Sequence, residues 1–337
     1  MLQLSGKQST NETLPKQFQV ATQPHRYGSL ITGLIFLSGL VLAVTHFGEI
    51  EHFVKLMREA EPVWLVYGVL LQIATYFVIA GAWHQTLRYA GVRYSMLSLV
   101  PMGIAKLFSD QALPSGGMSG AAFFVTALSR RGISTQHCMA VMLVNLVAYY
   151  IAYFLAAIAS VILLWFYHAI HVWIVVVAIV FSLVAVVIPI GALWISHRGK
   201  SQIPKLFMRI PGLTNMLDAL GNAPDYLLRN PRLITEITLL QLTIFLLDSA
   251  TLWCMLHAIG QNVSFLAAFP SFIIASMVAT ISPLPLGLGV FETACVLILG
   301  FLNVYNEAAL TATLLLRGIT MWLPMLPGMW LARRELR

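Results

Sequence analysis

From Gln136 to Ile195 the chain carries no aspartate, glutamate, lysine or arginine. A membrane-spanning helix needs about 20 consecutive, mostly apolar residues, so this stretch holds two spans, read as Gln136 to Phe166 and Ala169 to Ile195. Four more runs satisfy the same requirement: Ser29 to His46, Pro62 to Trp83, Ile234 to Ile259 and Asn306 to Leu331. Hydrophobic residues are 59% of the chain and charged residues 10%, with a mean hydropathy of +0.82. That balance is far from the one a soluble domain needs. The expectation is an all-α polytopic membrane protein. Residues 1–28 read as a flexible polar tail, and residues 29–337 as one integral-membrane domain. The first run, from Leu30 to His46, lacks a small-x-small cleavage pattern and reads as a retained anchor.

Two apolar regions do not read as simple spans. Ser95 to Ser129 holds "ALPSGGMSG", and Ser264 to Asn303 holds "SPLPLGLG". Each is long enough for two half-depth helices joined at a broken tip, and so for a re-entrant helical hairpin. The expected architecture is about six full transmembrane helices plus two such hairpins.

Charge placement tests this layout. The net charge of +7 could suit nucleic acid, but the basic residues fall in short polar stretches between apolar runs. Hairpins that leave on the side they entered put 16 of the 20 lysines and arginines on one side, with both termini. The basic loop of about residues 196–233 falls there too. Cytoplasmic loops carry such an excess, so both termini are expected in the cytoplasm. Nucleic acid is not an expected partner.

The chain also repeats itself. At a shift of 169 positions Ser95 meets Ser264, Pro101 meets Pro270, Pro114 meets Pro283 and Gly120 meets Gly289. Each half, about 29–166 and about 169–331, then reads span, span, hairpin, span. The span before the hairpin runs in opposite directions in the two halves, which makes two inverted repeats, an arrangement common among secondary transporters.

Irregular backbone at membrane depth survives only where protein or water covers it. Two broken tips entering from opposite faces should therefore meet near the midplane and line a cavity. Pro114, Ser115, Gly116, Gly117 and Gly120 in the first break are candidate substrate-lining residues, as are Pro283, Pro285, Gly287 and Gly289 in the second. Half-helices starting there present free N–H groups and a partial positive charge to an anionic headgroup.

Ionisable residues away from the ends are Lys106, Asp110, Asp248, Glu292 and Arg317. Each is costly at depth and so a functional candidate. Arg317, a turn or two into the last span, could pair with Glu292. Lys106 and Asp110 stand four apart and share a helix face. Asp248 lies in mid-span, with Gln241 seven residues earlier on the same side. Asn145 and Tyr149 read as interhelical contacts. Cys138, Cys254 and Cys295 read as small core residues. His46, His52, His168 and His171 read as interfacial, not as metal ligands. Trp64, Trp83, Trp173 and Trp194 fit an aromatic belt. "SGGMSG" lacks the lysine and hydroxyl residue of a phosphate-binding loop. No metal and no cofactor is expected, nor is ATP-driven pumping.

The segment "SPLPLGLGVFETACVLILGFLNVYNEAALTATLLLRGITMWLPMLPG" resembles the signature of the lysylphosphatidylglycerol synthase transmembrane region, also called the flippase-like domain family. "FSDQALPSGGMSGAAFFVTALSRRGIS" is similar to the family's other block. The resemblance implies a bacterial or archaeal inner-membrane protein of two inverted repeats, with movement of a phospholipid or lipid-linked compound. It carries Pro283, Pro285, Gly287, Gly289, Glu292 and Arg317 as site residues. One position departs: many members have a basic residue just before the glutamate, where Phe291 stands here. Bifunctional members add a soluble aminoacyl-transferring domain. This sequence ends at "LARRELR", so lipid aminoacylation is not expected of it.

The leading expectation is a lipid flippase-like transporter whose membrane-lipid substrate presents an anionic headgroup to the midplane. Two alternatives stay open. One is a membrane enzyme using Asp110, Asp248 and Glu292. The other is a non-transporting partner of a biosynthetic enzyme, docking through Arg198 to Arg232. Homo-oligomers are compatible with each.

Overall fold

The computed structural model describes residues 60–112, 118–198, 225–282, 284 and 287–335. The expected span Ser29 to His46, the N-terminal tail, His46, His52 and most of the basic loop lie outside the described residues. Among the described residues every regular element is helical.

Long helices form where the apolar runs were read. Helix α1 spans Pro62–Tyr89, α4 Thr135–Phe166, α5 Val172–Arg198 and α7 Pro231–Ala258. At 1.5 Å per residue, the 28 residues of α1 or α7 reach about 42 Å, more than the roughly 30 Å of a bilayer's hydrocarbon core. Both begin with proline at the first helical position, where the missing N–H costs nothing. Asn230 caps α7 by accepting from the amides of Arg232 and Leu233, and Ser134 caps α4 by accepting from the His137 amide. Helix α5 is apolar all round, as a helix in lipid must be. Val172, Val176, Ile179, Leu183, Val186 and Ile190 form its exposed stripe.

The two interrupted regions each form a pair of shorter helices: α2 (Met96–Ala112) with α3 (Met118–Arg130), and α8 (Phe265–Ile281) with α9 (Val290–Phe301). The members of each pair pack on each other. The 12 or 13 residues of α9 and α3 give only about 18–20 Å, too short to cross alone. Broken helical hairpins are therefore present at both sites read from the sequence. Pro101 and Pro270 lie inside α2 and α8.

The last expected span, Asn306 to Leu331, is helical but not continuous. Helix α10 (Asn306–Arg317) passes through a π-helical turn, Gly318–Trp322, into α11 (Leu323–Glu335). Such turns recur at functional sites. Arg317 closes α10, about three turns in, deeper than the one or two turns the sequence suggested.

Element positions repeat along the chain. Helices α1 and α7 have 28 residues each, α2 and α8 have 17 each, and both pairs are offset by 169 positions. Helix α1 packs most extensively on α7, and α11 packs on α2. One apolar cluster draws on α4, α5 and α7 to α10, a second mainly on α1 to α4. A third joins α1, α4 and α7 to the short helix α6 (Asp225–Leu228). Polar links stitch the centre: the Asn145 side-chain amide donates to the Thr86 hydroxyl at 3.3 Å and accepts from Gln241 at 3.4 Å, tying α4 to α1 and α7.

Trp83 is a correction to the expected aromatic belt. Helix α1 runs on to Tyr89, so Trp83 is not at a span end; it is 5% exposed and packs on Phe124 with ring centroids 4.5 Å apart. Trp64 instead meets Trp253 and His257 near the other end of α1.

Candidate functional site

Helices α1, α2, α7, α8, α9 and α10, with the π turn, converge on a cavity of about 400 Å³. Its wall includes Lys106, Asp110, Asp248 and Arg317, four of the five ionisable residues singled out from the sequence. The fifth, Glu292, is tied to it through Arg317.

At the second break, Gly287 and Gly289 have φ of +60° and +80°, a region that L side chains enter only at a cost. The turn lets Gly289 become the N-cap of α9, where Glu292 reaches back and accepts its amide at 2.7 Å through Oε2. The other carboxylate oxygen accepts from Arg317 Nε at 2.8 Å. Arg317 also donates to the Gly287 carbonyl at 3.4 Å, and its guanidinium lies 4.3 Å from the Phe291 ring centroid. One arginine thus joins the last span to three points of the break. The paired side chains are only 16% and 12% exposed. Phe291, the position that departs from the family pattern, supplies an aromatic face for the arginine.

The first break follows a similar plan with different residues. Lys106 pairs with Asp110 at 2.8 Å, and the other Asp110 oxygen accepts the Gly120 amide at 2.7 Å. The Ser119 hydroxyl donates to the Ser109 carbonyl at 2.9 Å. At each break, then, a carboxylate takes a glycine amide with one oxygen and a cation with the other. Pro114, Ser115, Gly116, Gly117, Pro283 and Pro285 lie outside the described residues.

Asp248 lines the cavity from α7, but Gln241 does not join it, since it turns to Asn145 on α4. Facing Asp248 are Gln72, Thr75 and Tyr76 of α1, which reading by charge passed over. Their spacing of three and four residues is the signal that places them on one helix face, and the offset of 169 sets Gln72 on Gln241. Gln72 and Tyr76 are 8% and 7% exposed. Gln72 Oε1, the Tyr76 hydroxyl and Asp248 Oδ1 are buried without a hydrogen-bond partner.

The three cysteines are buried and free. Among the described residues no three histidine, cysteine or acidic side chains gather as a metal site.

Residues 30–328 match the lysylphosphatidylglycerol synthase TM region. The chain belongs to that family. The match takes in both breaks and both cavity ion pairs. A curated relative is a UPF0104 membrane protein of Methanothermobacter thermautotrophicus, 21% identical over 312 residues, covering 87% of this chain and 90% of that protein. This family member is thus a polytopic membrane protein with a charged cavity, whose described lining does not include Gly120, Gly287 or Gly289.

Proposed function

We propose that the protein moves a phosphate-bearing lipid across the bilayer, with the headgroup passing through the cavity and the tails left in the hydrocarbon. One observation carries the reading: Lys106, on the first broken hairpin, and Arg317, which ties the last span to the second break, line the same cavity. Charged groups at such depth mark substrate pathways. The family's name, lysylphosphatidylglycerol synthase TM region, adds a lipid context.

The pairing at each break suggests how an anionic headgroup is received. Asp110 and Glu292 hold positions a lipid phosphate could take, next to a cation and a helix-start amide. A phosphate exchanging with either carboxylate keeps the charge balance while loosening the break. Because both carboxylates are committed to cations, binding and passage fit them better than acid–base catalysis does. The matched offsets of α1 with α7 and α2 with α8 support the inverted-repeat reading, in which the two breaks enter from opposite faces of an inner membrane and both termini are cytoplasmic.

The test is reconstitution of the full chain in vesicles containing a fluorescent anionic phospholipid, with external dithionite quenching. Wild-type protein should bleach the inner-leaflet label faster than empty vesicles do. Folded Glu292→Ala and Arg317→Ala variants should slow the exchange at least about tenfold, the equivalent of 1.4 kcal/mol. Wild-type rates in those folded variants would sink the reading.

A further inference from the structure

We propose that Asp248, Gln72, Tyr76 and Thr75 form a sodium-ion site in the cavity wall between α1 and α7.

The argument begins with charge balance. The two cations lining the cavity are both engaged, Lys106 with Asp110 at 2.8 Å and Arg317 with Glu292 at 2.8 Å. Asp248 takes part in neither pair, and its Oδ1 has no hydrogen-bond partner. A carboxylate withdrawn from water without a compensating charge is costly. Of Asp110, Asp248 and Glu292, Asp248 alone is paired with no cation, and a bound cation would supply that partner.

The neighbours of Asp248 identify what kind of ligand. The Gln72 carbonyl oxygen and the Tyr76 hydroxyl are a turn apart on α1, line the same cavity, and are both buried and unpartnered. The Tyr76 hydroxyl stands beside both the Gln72 side chain and the Asp248 carboxyl. The Thr75 hydroxyl stands beside the Asp248 carboxyl and donates to the Leu71 carbonyl, which leaves its lone pairs available. The cluster is therefore one carboxylate and three neutral oxygens. Calcium draws on several carboxylates or carbonyls, and magnesium keeps most of its water. A single carboxylate among neutral oxygens suits a monovalent hard cation. A sodium ion accepts all of them as ligands together.

The site does not require the cargo to be a lipid, and its test uses no transport assay. Thermal unfolding of the detergent-purified full chain is followed while sodium chloride replaces choline chloride at constant ionic strength and pH. A bound ion stabilises the folded state by mass action, so the melting temperature should rise saturably with sodium. The rise should vanish in Asp248→Asn. In Tyr76→Phe the apparent Kd should increase about tenfold, the effect of losing one ligand worth about 1.4 kcal/mol. Should Asp248→Asn not fold, Tyr76→Phe and Gln72→Leu decide by the same titration. The proposal is overturned if sodium, potassium and choline act alike, or if the folded variants keep the full sodium response. It is equally overturned if stability tracks pH through Asp248 with no sodium dependence, which would assign a proton instead.

Discussion

The Gly120 amide donates to Asp110 Oδ1 at 2.7 Å, and the same carboxylate occupies the space a β-carbon on Gly120 would need. The start of α3 can approach Asp110 only because residue 120 has no side chain. Gly120→Ala should therefore push the carboxylate off the amide and strain its pair with Lys106. Losing a charge-assisted hydrogen bond and leaving its partners buried costs about 1–3 kcal/mol. The melting temperature of the purified variant should fall by several degrees. Asp110→Asn, which fits without a clash, should lose less.

Much of this arrangement was legible in the sequence because its causes are local. Apolar runs gave α1, α4, α5 and α7, and paired prolines and glycines marked the breaks between α2 and α3 and between α8 and α9. Rarity of charge picked out Lys106, Asp110, Asp248 and Arg317, and the cavity gathers all four. What stayed hidden depends on tertiary packing. Gln72, Thr75 and Tyr76 look like ordinary polar residues of a span until α7 brings Asp248 beside them. Trp83 looks like a belt residue until α1 is seen to continue past it. The π turn after Arg317 has no local marker beyond Gly318, and it moves the arginine to the end of α10.

Gly287 and Gly289 share a left-handed backbone but differ in their surroundings. A β-carbon on Gly287 would lie 2.6 Å from that of Ala279, whereas nothing stands within 4 Å of one on Gly289. Gly289→Ala should cost only the backbone penalty of about 1–2 kcal/mol. Gly287→Ala should cost more, since it adds a collision with α8. Adding Ala279→Gly should restore part of the loss in Gly287→Ala and none of it in Gly289→Ala. Thermal unfolding of the four variants checks this, and equal rescue at both positions would show that Ala279 is not the obstacle.

The Asn145 side chain bridges three helices, bonding to Thr86, Gln241 and the Val141 carbonyl. Polar contacts between membrane helices average well under 2 kcal/mol each. Asn145→Leu should therefore destabilise by about 1 kcal/mol and leave Gln241 unsatisfied. Gln241→Leu made on that background should cost less than it does alone. A double-mutant cycle reads the difference, and strict additivity would mean that the 3.4 Å bond from Gln241 contributes nothing.

Glu292, Gly287 and Phe291 engage Arg317 through different chemistry, and only Glu292 responds to charge alone. Arg317→Lys keeps the cation for Glu292 but gives up the planar contact with Phe291 and the reach to the Gly287 carbonyl. Lysine is a point charge where arginine is a fork that also stacks, so the substitution should destabilise, by about 1–2 kcal/mol for the lost stacking and hydrogen bond. Arg317→Ala should cost about 3–5 kcal/mol, because it leaves a buried carboxylate without its counter-charge. Glu292→Gln should fall between the two: its side-chain oxygen can still accept from either Gly289 or Arg317, but no longer as an anion. The ranking comes from unfolding midpoints of the three single variants. A lysine variant as stable as wild type would mean that charge pairing alone holds the last span to the second break.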